Sequence, residues 1–315
     1  METISYILID ALRFGFPYSL LALGIFITYR VLDFPDLTAE GSFTLGGAVG
    51  IVLILAGVNP WVATLLAALS GAIAGMITGI LYTKCKIPGL LSSIITMTGL
   101  YSINMFIMGF QKGNTSGYDT VARLGENKSL FQSFIQFFSK PNYNIILISL
   151  LIVIIIVIII YWFFGTELGM SIRATGMNSK MARAQGINST FMIILGLAIA
   201  NMLIAMGGSL TAQINRTADI NLGVGTLVVG LSSIIIGEAV FGKRTFKNWL
   251  ISVVLGTIIY YVIINSAIQL GLPNYLKRLL YAVLITVVLI IPLIKKALNK
   301  KEGNNARVKK HYQNL

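Results

Sequence analysis

Ile145-Ile-Leu-Ile-Ser149-Leu-Leu-Ile-Val-Ile-Ile-Ile-Val-Ile-Ile-Ile160 is apolar at every position except Ser149. With its flanks it makes a stretch over 144–164, and about 20 mostly apolar residues are what a helix needs to cross a bilayer. Such a segment offers nothing to a polar solute, so its expected neighbour is lipid. Working outward, nearly all of the chain parses into further stretches of this kind: 15–31, 38–56, 60–82, 89–110, 189–212, 223–242, 249–270 and 275–294. The predicted fold is therefore an all-α polytopic membrane protein of about nine (8–10) transmembrane helices, their ends placed to within several residues.

Composition agrees. The 315 residues are 56% hydrophobic and 11% charged, against about 45–50% apolar and ~25% charged in soluble domains. That excludes a water-soluble enzyme, and also a disordered chain, which needs low hydrophobicity. One cysteine, Cys85, excludes a disulfide scaffold. The opening Met1-Glu-Thr-Ile-Ser lacks the basic start of a signal peptide, and Ile4, Ile7, Leu8 and Ile9 either extend the first span or lie in the interface.

The net charge is +13, and it is unevenly placed. Lys295, Lys296, Lys300, Lys301, Arg307, Lys309 and Lys310 share the tail 295–315 with Glu302 as its one acid. With that tail inside, Arg30, Lys84, Lys86, Arg173, Lys180, Arg183, Lys243, Arg244 and Lys247 fall on the same side. The positive-inside bias therefore places the N-terminus outside and the C-terminus in the cytoplasm. Lys277 and Arg278, outside in this arrangement, fit it least well. Basic tails also meet anionic membrane lipid. Nucleic acid is not an expected partner, since no folded basic domain presents the charge. The predicted organisation is a transmembrane domain 1–294, an external loop 111–143 with a short amphipathic helix near Leu130–Phe138, a cytoplasmic loop 165–188, and the tail.

Enzyme signatures fail in turn. His311 is the one histidine, so no His triad or His metal cluster can be built; no catalytic residue, metal site or cofactor is expected. Gly237 through Lys243-Arg244 has phosphate-loop spacing, yet Arg stands where a Ser or Thr hydroxyl is needed, and a span precedes it. Within the spans, Gly71, Gly75 and Gly79, and likewise Gly46, Gly47 and Gly50, form small faces suited to close helix packing. Polar groups inside a span face the bundle interior or a watery path. Ser102, Asn104, Asn201 and Gln213 are candidates for a path or for interhelical hydrogen bonds. Glu40 and Glu238, expected near the cytoplasmic ends, are candidate structural or gating acids. No ladder of buried ionisable groups marks a proton relay, which argues against ion-driven transport.

The loop 165–188 holds one more pattern. Asn178 suits a helix N-cap and Gly186 the left-handed residue after a helix. Between them Ser179, Lys180, Met181, Ala182, Arg183, Ala184 and Gln185 form about two turns, bounded by glycine. So short a helix is unstable in isolation, so it docks on its own bundle or on a partner.

At this loop the sequence resembles the membrane permease subunit of bacterial ABC importers, of the type serving branched-chain amino acids and simple sugars such as ribose. The resembling stretches run through most of the chain: Leu37-Thr-Ala-Glu-Gly-Ser-Phe-Thr-Leu-Gly-Gly47, Gly89-Leu-Leu-Ser-Ser-Ile-Ile-Thr-Met-Thr-Gly99, Gly169-Met-Ser-Ile-Arg173-Ala-Thr-Gly176 through Gly186-Ile-Asn188, and Ala218-Asp-Ile-Asn-Leu-Gly-Val-Gly225 through Ile236-Gly-Glu238. The resemblance implies a type II importer permease with an inverted repeat, in the bacterial cytoplasmic membrane. It implies a second permease copy or sister permease, and a cytoplasmic ATPase gripping the 178–186 coupling helix. It also implies an external binding protein (a lipoprotein where the cell lacks an outer membrane) delivering the solute. The 91–104 and 173–188 stretches most resemble a branch serving amino-acid uptake, aromatic ones included, with sugars, nucleosides and other small polar solutes as the alternatives. A self-sufficient secondary carrier or channel is the rival reading.

Overall fold

A computed structural model describes residues 2–110, 117–125, 127, 129–133 and 141–270, with isolated positions 279, 283, 286 and 290. Apart from those four positions, the expected span 275–294, with Lys277 and Arg278, and the tail 295–315 lie outside the described residues. The elements, in order, are α1 (Glu2–Phe26, running into a π-helical turn Ile27–Val31), α2 (Thr38–Leu55), α3 (Pro60–Thr83), α4 (Gly89–Met108), β1 (Val121–Arg123), α5 (Leu130–Ser133), α6 (Pro141–Gly165), α7 (Glu167–Met177), α8 (Ser179–Ala184), α9 (Ser189–Asn215), β2 (Thr217–Asp219), α10 (Thr226–Phe241) and α11 (Phe246–Gln269). Seven helices among the described residues are long and apolar enough to span a membrane, and α10 is shorter.

The 27-residue α9 is the central post. Close approach on two sides is set by the glycine faces. A Cβ at Gly75 of α3 would collide with the Leu197 carbonyl, and one at Gly46 of α2 with the Ala205 carbonyl. The small faces thus let neighbouring backbones touch, the usual way for helices to associate where lipid supplies no hydrophobic drive. At the periphery α6 turns Leu151, Ile154, Ile155, Ile158 and Ile159 outward, as its uniform apolar sequence requires.

The first span begins earlier than residue 15: α1 is continuous from Glu2, and Asp10 and Arg13 meet at 4.0 Å one turn apart. Mutual pairing lets both charges sit on a helix that the hydrophobic run alone did not include.

Two short strands interrupt the helical architecture at the end opposite the basic clusters. β1 and β2 pair antiparallel, Ala122 opposite Ala218. Arg216, left-handed at φ 58°, donates to the carbonyls of Gly125 and Asn127 and to Gln132. One side chain thereby clasps the long loop onto the end of α9. Of the amphipathic helix expected there, the described residues 130–133 form α5, with Leu130 and Phe131 buried; 134–138 lie outside the described residues.

Candidate functional site

Two helices begin inside the bundle rather than at its surface. α2 starts beside Asn201, roughly 18 Å along α9 from Ser189 at about 1.5 Å per residue. The link that places it there leaves α1 through the π turn, passes the left-handed Asp33 (φ 53°) and ends on Asp36. The Asp36 carboxylate accepts from the Thr38 amide at 2.9 Å and from Asn201 Nδ2 at 2.8 Å, so one residue starts α2 and ties it to mid-α9. Thr38 and Thr78 hydroxyls, 2.8 Å apart, bind the same point to α3.

α10 starts at this depth too. Gly223 backs onto the Glu40 carbonyl, where no Cβ would fit, and Gly225 turns left-handed at φ 83°. The Gly223 amide donates to Thr44 Oγ1 at 3.0 Å and the Gly225 amide to Glu40 Oε1 at 2.9 Å. Glu40 therefore sits at mid-depth and caps the N-terminus of a helix far away in sequence. This corrects its expected position near an end, and it corrects 223–242 as a full span: α10 has 16 residues. An acid at a helix N-terminus satisfies orphan amides and faces the positive end of the dipole. α2 and α10 run in opposite directions from this common start, which is the geometry of an inverted pair of discontinuous helices.

Beside the junction lies a cavity of about 230 Å³, walled by Glu40, Gly41, Thr44, Met97, Thr98, Tyr101, Asn104, Ile220 and Val224. Asn104 is 1% exposed; its Nδ2 donates to the Gly41 carbonyl at 3.3 Å and its Oδ1 has no partner. Ser102 is on the exposed face of α4 with Thr98 and Tyr101. Asn201 and Gln213 are elsewhere. Asn201 is fully buried on Asp36 and the Leu197 carbonyl. Gln213 bonds Thr64 and Ser209 and accepts the Leu130 amide at 2.9 Å. Both tie helices together, and neither lines this cavity.

The basic end gathers a second constellation. Arg30 and Glu238 pair at 2.7 Å, and Trp249 Nε1 donates to Glu238 at 2.8 Å. Phe246 packs against Phe26 and Phe164, with the Arg173 guanidinium 4.8 Å above its ring. The ends of α1, α6, α7, α10 and α11 meet here. Residues 237–241, in the near-match to a phosphate loop, are simply the last turn of α10.

The stretch 165–188 is more ordered than a loop with one helix. Thr166 caps α7, which the sequence reading passed over; Asn178 Oδ1 then accepts from the Met181 amide at 3.1 Å to start the six-residue α8. Gly186 closes it at φ 83°. Ala182 is buried and Ser189 Oγ donates to the Ser179 carbonyl at 3.1 Å, so α8 is pinned to α9 along one side. Its other side is open: Met181 is 64% exposed, Lys180, Arg183, Ala184 and Gln185 are exposed as well, and Met177 at the end of α7 is 89% exposed. A cleft of about 830 Å³ runs beside it, walled by Asp33, Lys86, Gly176, Asn178, Lys180 and Arg183 among others. Among the described residues no group of His, Cys, Asp and Glu is placed to hold a metal.

Sequence reasoning missed Asp36 and the cavity residues Thr44, Thr98 and Tyr101. Pro35-Asp36 directly before a span is a start signal of the kind polar turn residues give. Nothing in the sequence shows that 221–225 folds back to mid-depth, because that depends on the Glu40 contact.

Comparison with known proteins completes the description. The family described as "Branched-chain amino acid transport system / permease component" matches residues 7–289. A tyrosine transport system permease protein of Clostridioides difficile (strain R20291) is 41% identical over 267 residues, covering 85% of each chain. The galactofuranose transporter permease protein of Escherichia coli (strain K12) is 26% identical, covering 90% of this chain and 78% of that one. The ribose import permease protein of the same organism is 23% identical, covering 81% and 76%.

Proposed function

This chain belongs to the permease-component family of branched-chain amino acid transport systems, and from that premise we propose that it carries an amino acid across the membrane when a separate ATPase pulls on α8. Members of the family are multi-pass permease subunits of bacterial ABC importers, with no catalytic site of their own, so ATP hydrolysis belongs to a partner. An amino acid as solute is supported by the tyrosine transport permease that is 41% identical. The C-terminus and the basic end face the cytoplasm, where the charge bias places them. The opposite end, with its strand ribbon, receives solute from an external binding protein, a lipoprotein where no outer membrane exists.

The observation that carries the docking reading is α8 itself. A six-residue helix capped at both ends presents bare Met181 beside Lys180 and Arg183, and Met177, the last residue of α7, is open just before it. Methionine side chains left this open suit an adaptable apolar contact. Arg173, Asn178, Ser179, Lys180, Met181, Ala182, Arg183, Ala184, Gln185 and Gly186 form the coupling surface and its scaffold. Movement of α8 reaches the bundle at three joints: the Ser179–Ser189 hydrogen bond to α9, Gly176 against the Val31 carbonyl at the end of α1, and Arg173 on Phe246 of α11. From α9 it passes through Asn201 and Asp36 to α2, and through Glu40 to α10. Two helices that start at mid-depth can tilt against each other, as alternating access needs.

The exposed face of α4 carries Thr98, Tyr101 and Ser102. Such polar groups are costly against lipid, which supports a second permease copy or a sister across that face, with Ser102 and Asn104 on the path between them. Asn201 and Gln213 then act on transport through the helices they tie.

Arg183→Glu reverses charge on the coupling surface, and Gly186→Val puts a β-branched residue in a left-handed conformation that it adopts only under strain. Both variants are expected to reach the membrane at wild-type level and to lose transport at least tenfold, with ATPase recovery falling in pull-downs. Normal ATPase recovery together with normal transport in both would refute the docking reading.

A further inference from the structure

We propose that the cleft beside α8, at the basic end, is a binding site for the phosphate headgroup of an anionic membrane phospholipid. The inference goes beyond the importer reading and needs neither its solute nor its ATPase. The first observation is charge gathered in a concavity. Lys86 of the α3–α4 turn and Lys180 and Arg183 of α8 line one cleft of about 830 Å³, and Asp33 is the one acid on its wall among the described residues. Among those residues none of the three cations has an ion-pair partner. Three cations against one acid leave an excess of positive charge, which an anion offsets. Ser179 and Thr190 add hydroxyl groups to the wall, and phosphate oxygens accept hydrogen bonds from both kinds of donor.

The second observation is the surface that leads to the cleft. Leu69, Ile73, Met76, Ile77 and Ile80 share one exposed face of α3, and Thr83 on the cleft wall continues that face at the helical period. From Ile73 to Thr83 the helix rises about 15 Å, half of the roughly 30 Å hydrocarbon core. An acyl chain lying along this face brings its headgroup to the cleft, an approach that a free phosphate does not use. α8 also divides its surface. Ser179, Lys180 and Arg183 wall the cleft, Ala182 is buried against the bundle, and Met181, Ala184 and Gln185 take the remaining arc outside it. A lipid in the cleft thus leaves Met181 open to another protein while tying α8 to the α3–α4 turn. The cleft lies within the roughly 300–1,000 Å³ of small-molecule sites, and basic pockets at the cytoplasmic ends of membrane helices bind phosphorylated headgroups. Its charge excess matches best a headgroup with two phosphates, as in cardiolipin.

The test uses the full-length chain purified in a neutral detergent. Bound lipid is read by native mass spectrometry during titration with cardiolipin, phosphatidylglycerol, phosphatidylcholine or glycerol 3-phosphate. The tightest cardiolipin event is expected to be at least tenfold stronger than any phosphatidylcholine event, and about a hundredfold excess of glycerol 3-phosphate should not displace it. Each cation near a headgroup is worth about fivefold in affinity. Lys86→Glu, which removes one positive charge and adds a negative one, should therefore weaken that event at least tenfold; Lys86 is exposed, so the change leaves the packed bundle intact. Lys86→Arg should stay within about twofold of wild type, and so should Lys310→Glu, which alters the basic tail instead. Independently, a photoreactive phosphatidylglycerol should label peptides spanning 82–88 or 177–183. Equal binding of cardiolipin and phosphatidylcholine, or equal cardiolipin binding by Lys86→Glu and wild type, overturns the site. Displacement by glycerol 3-phosphate makes the ligand a soluble phosphate and overturns the lipid assignment. Unchanged lipid binding with lost ATPase recovery in Lys86→Glu overturns it in favour of an acidic protein contact. Each of these results leaves the importer reading standing.

Discussion

Glu40→Ala removes the acceptor that holds the Gly225 amide at 2.9 Å, and the consequence can be worked out from that contact. Losing a side-chain N-cap costs about 0.5–2 kcal/mol. A carboxylate facing a partly buried helix N-terminus adds up to ~2 kcal/mol through the dipole. An amide left without a partner costs about 1–3 kcal/mol. These figures describe the same few atoms and overlap, so we take about 2–3 kcal/mol for the loss. At about 1.4 kcal/mol per factor of ten, opening of the first turn of α10 becomes roughly 30–140-fold more frequent. Glu40→Gln keeps an acceptor and loses only the charge, at about 1 kcal/mol, or roughly fivefold. Amide hydrogen exchange followed by mass spectrometry reads local opening directly. Peptides covering 225–230 should exchange faster in the order wild type, Gln, Ala, while peptides from 256–264 of α11 stay unchanged. Equal exchange at 225–230 in all three proteins would show that Glu40 does not hold α10, and the mid-depth junction would lose its basis.

Two further outcomes follow from the packing. Arg30→Met and Glu238→Ala each break the 2.7 Å pair, of which Arg30 is 31% and Glu238 12% exposed; a double-mutant cycle on thermal unfolding in detergent should give a coupling of about 1 kcal/mol, and strict additivity would contradict the pairing. Gly75→Ala drives a methyl into the Leu197 carbonyl and should lower stability by about 1–3 kcal/mol, whereas Gly99→Ala, with nothing within 4 Å of its new methyl, should raise it by about 0.5–1 kcal/mol; the same sign for both would refute the contact between α3 and α9.

Periodicity and hydropathy made the spans legible because a bilayer demands long apolar helices whatever their neighbours. α6 shows this: its 25 residues need only lipid around them. Local chemistry was equally legible. Asn178 and Gly186 mark α8 through short-range capping, which depends on nothing distant. What sequence reading missed depends on distant contacts. Glu40 looked like an acid near the cytoplasmic end of its span, since its partner amide is at Gly225 and no local rule brings the two together. Asn201 and Gln213 read as candidates for a path or for interhelical hydrogen bonds alike, because a polar side chain in a span looks the same whether it meets solute, Asp36 or Thr64. The span 223–242 looked full length because Val224 continues the apolar run, although Gly223 and Gly225 already turn it inside the bundle.

The central claim is that this chain moves solute only when another protein hydrolyses ATP beneath α8. Its most direct test is accumulation of L-tyrosine or L-leucine in proteoliposomes holding either this chain alone or the complete isolated transporter. The account predicts no accumulation by the chain alone under a proton or sodium gradient, and ATP-dependent accumulation by the complete transporter. Gradient-driven accumulation by the chain alone, indifferent to ATP, would contradict it and establish the secondary-carrier reading instead.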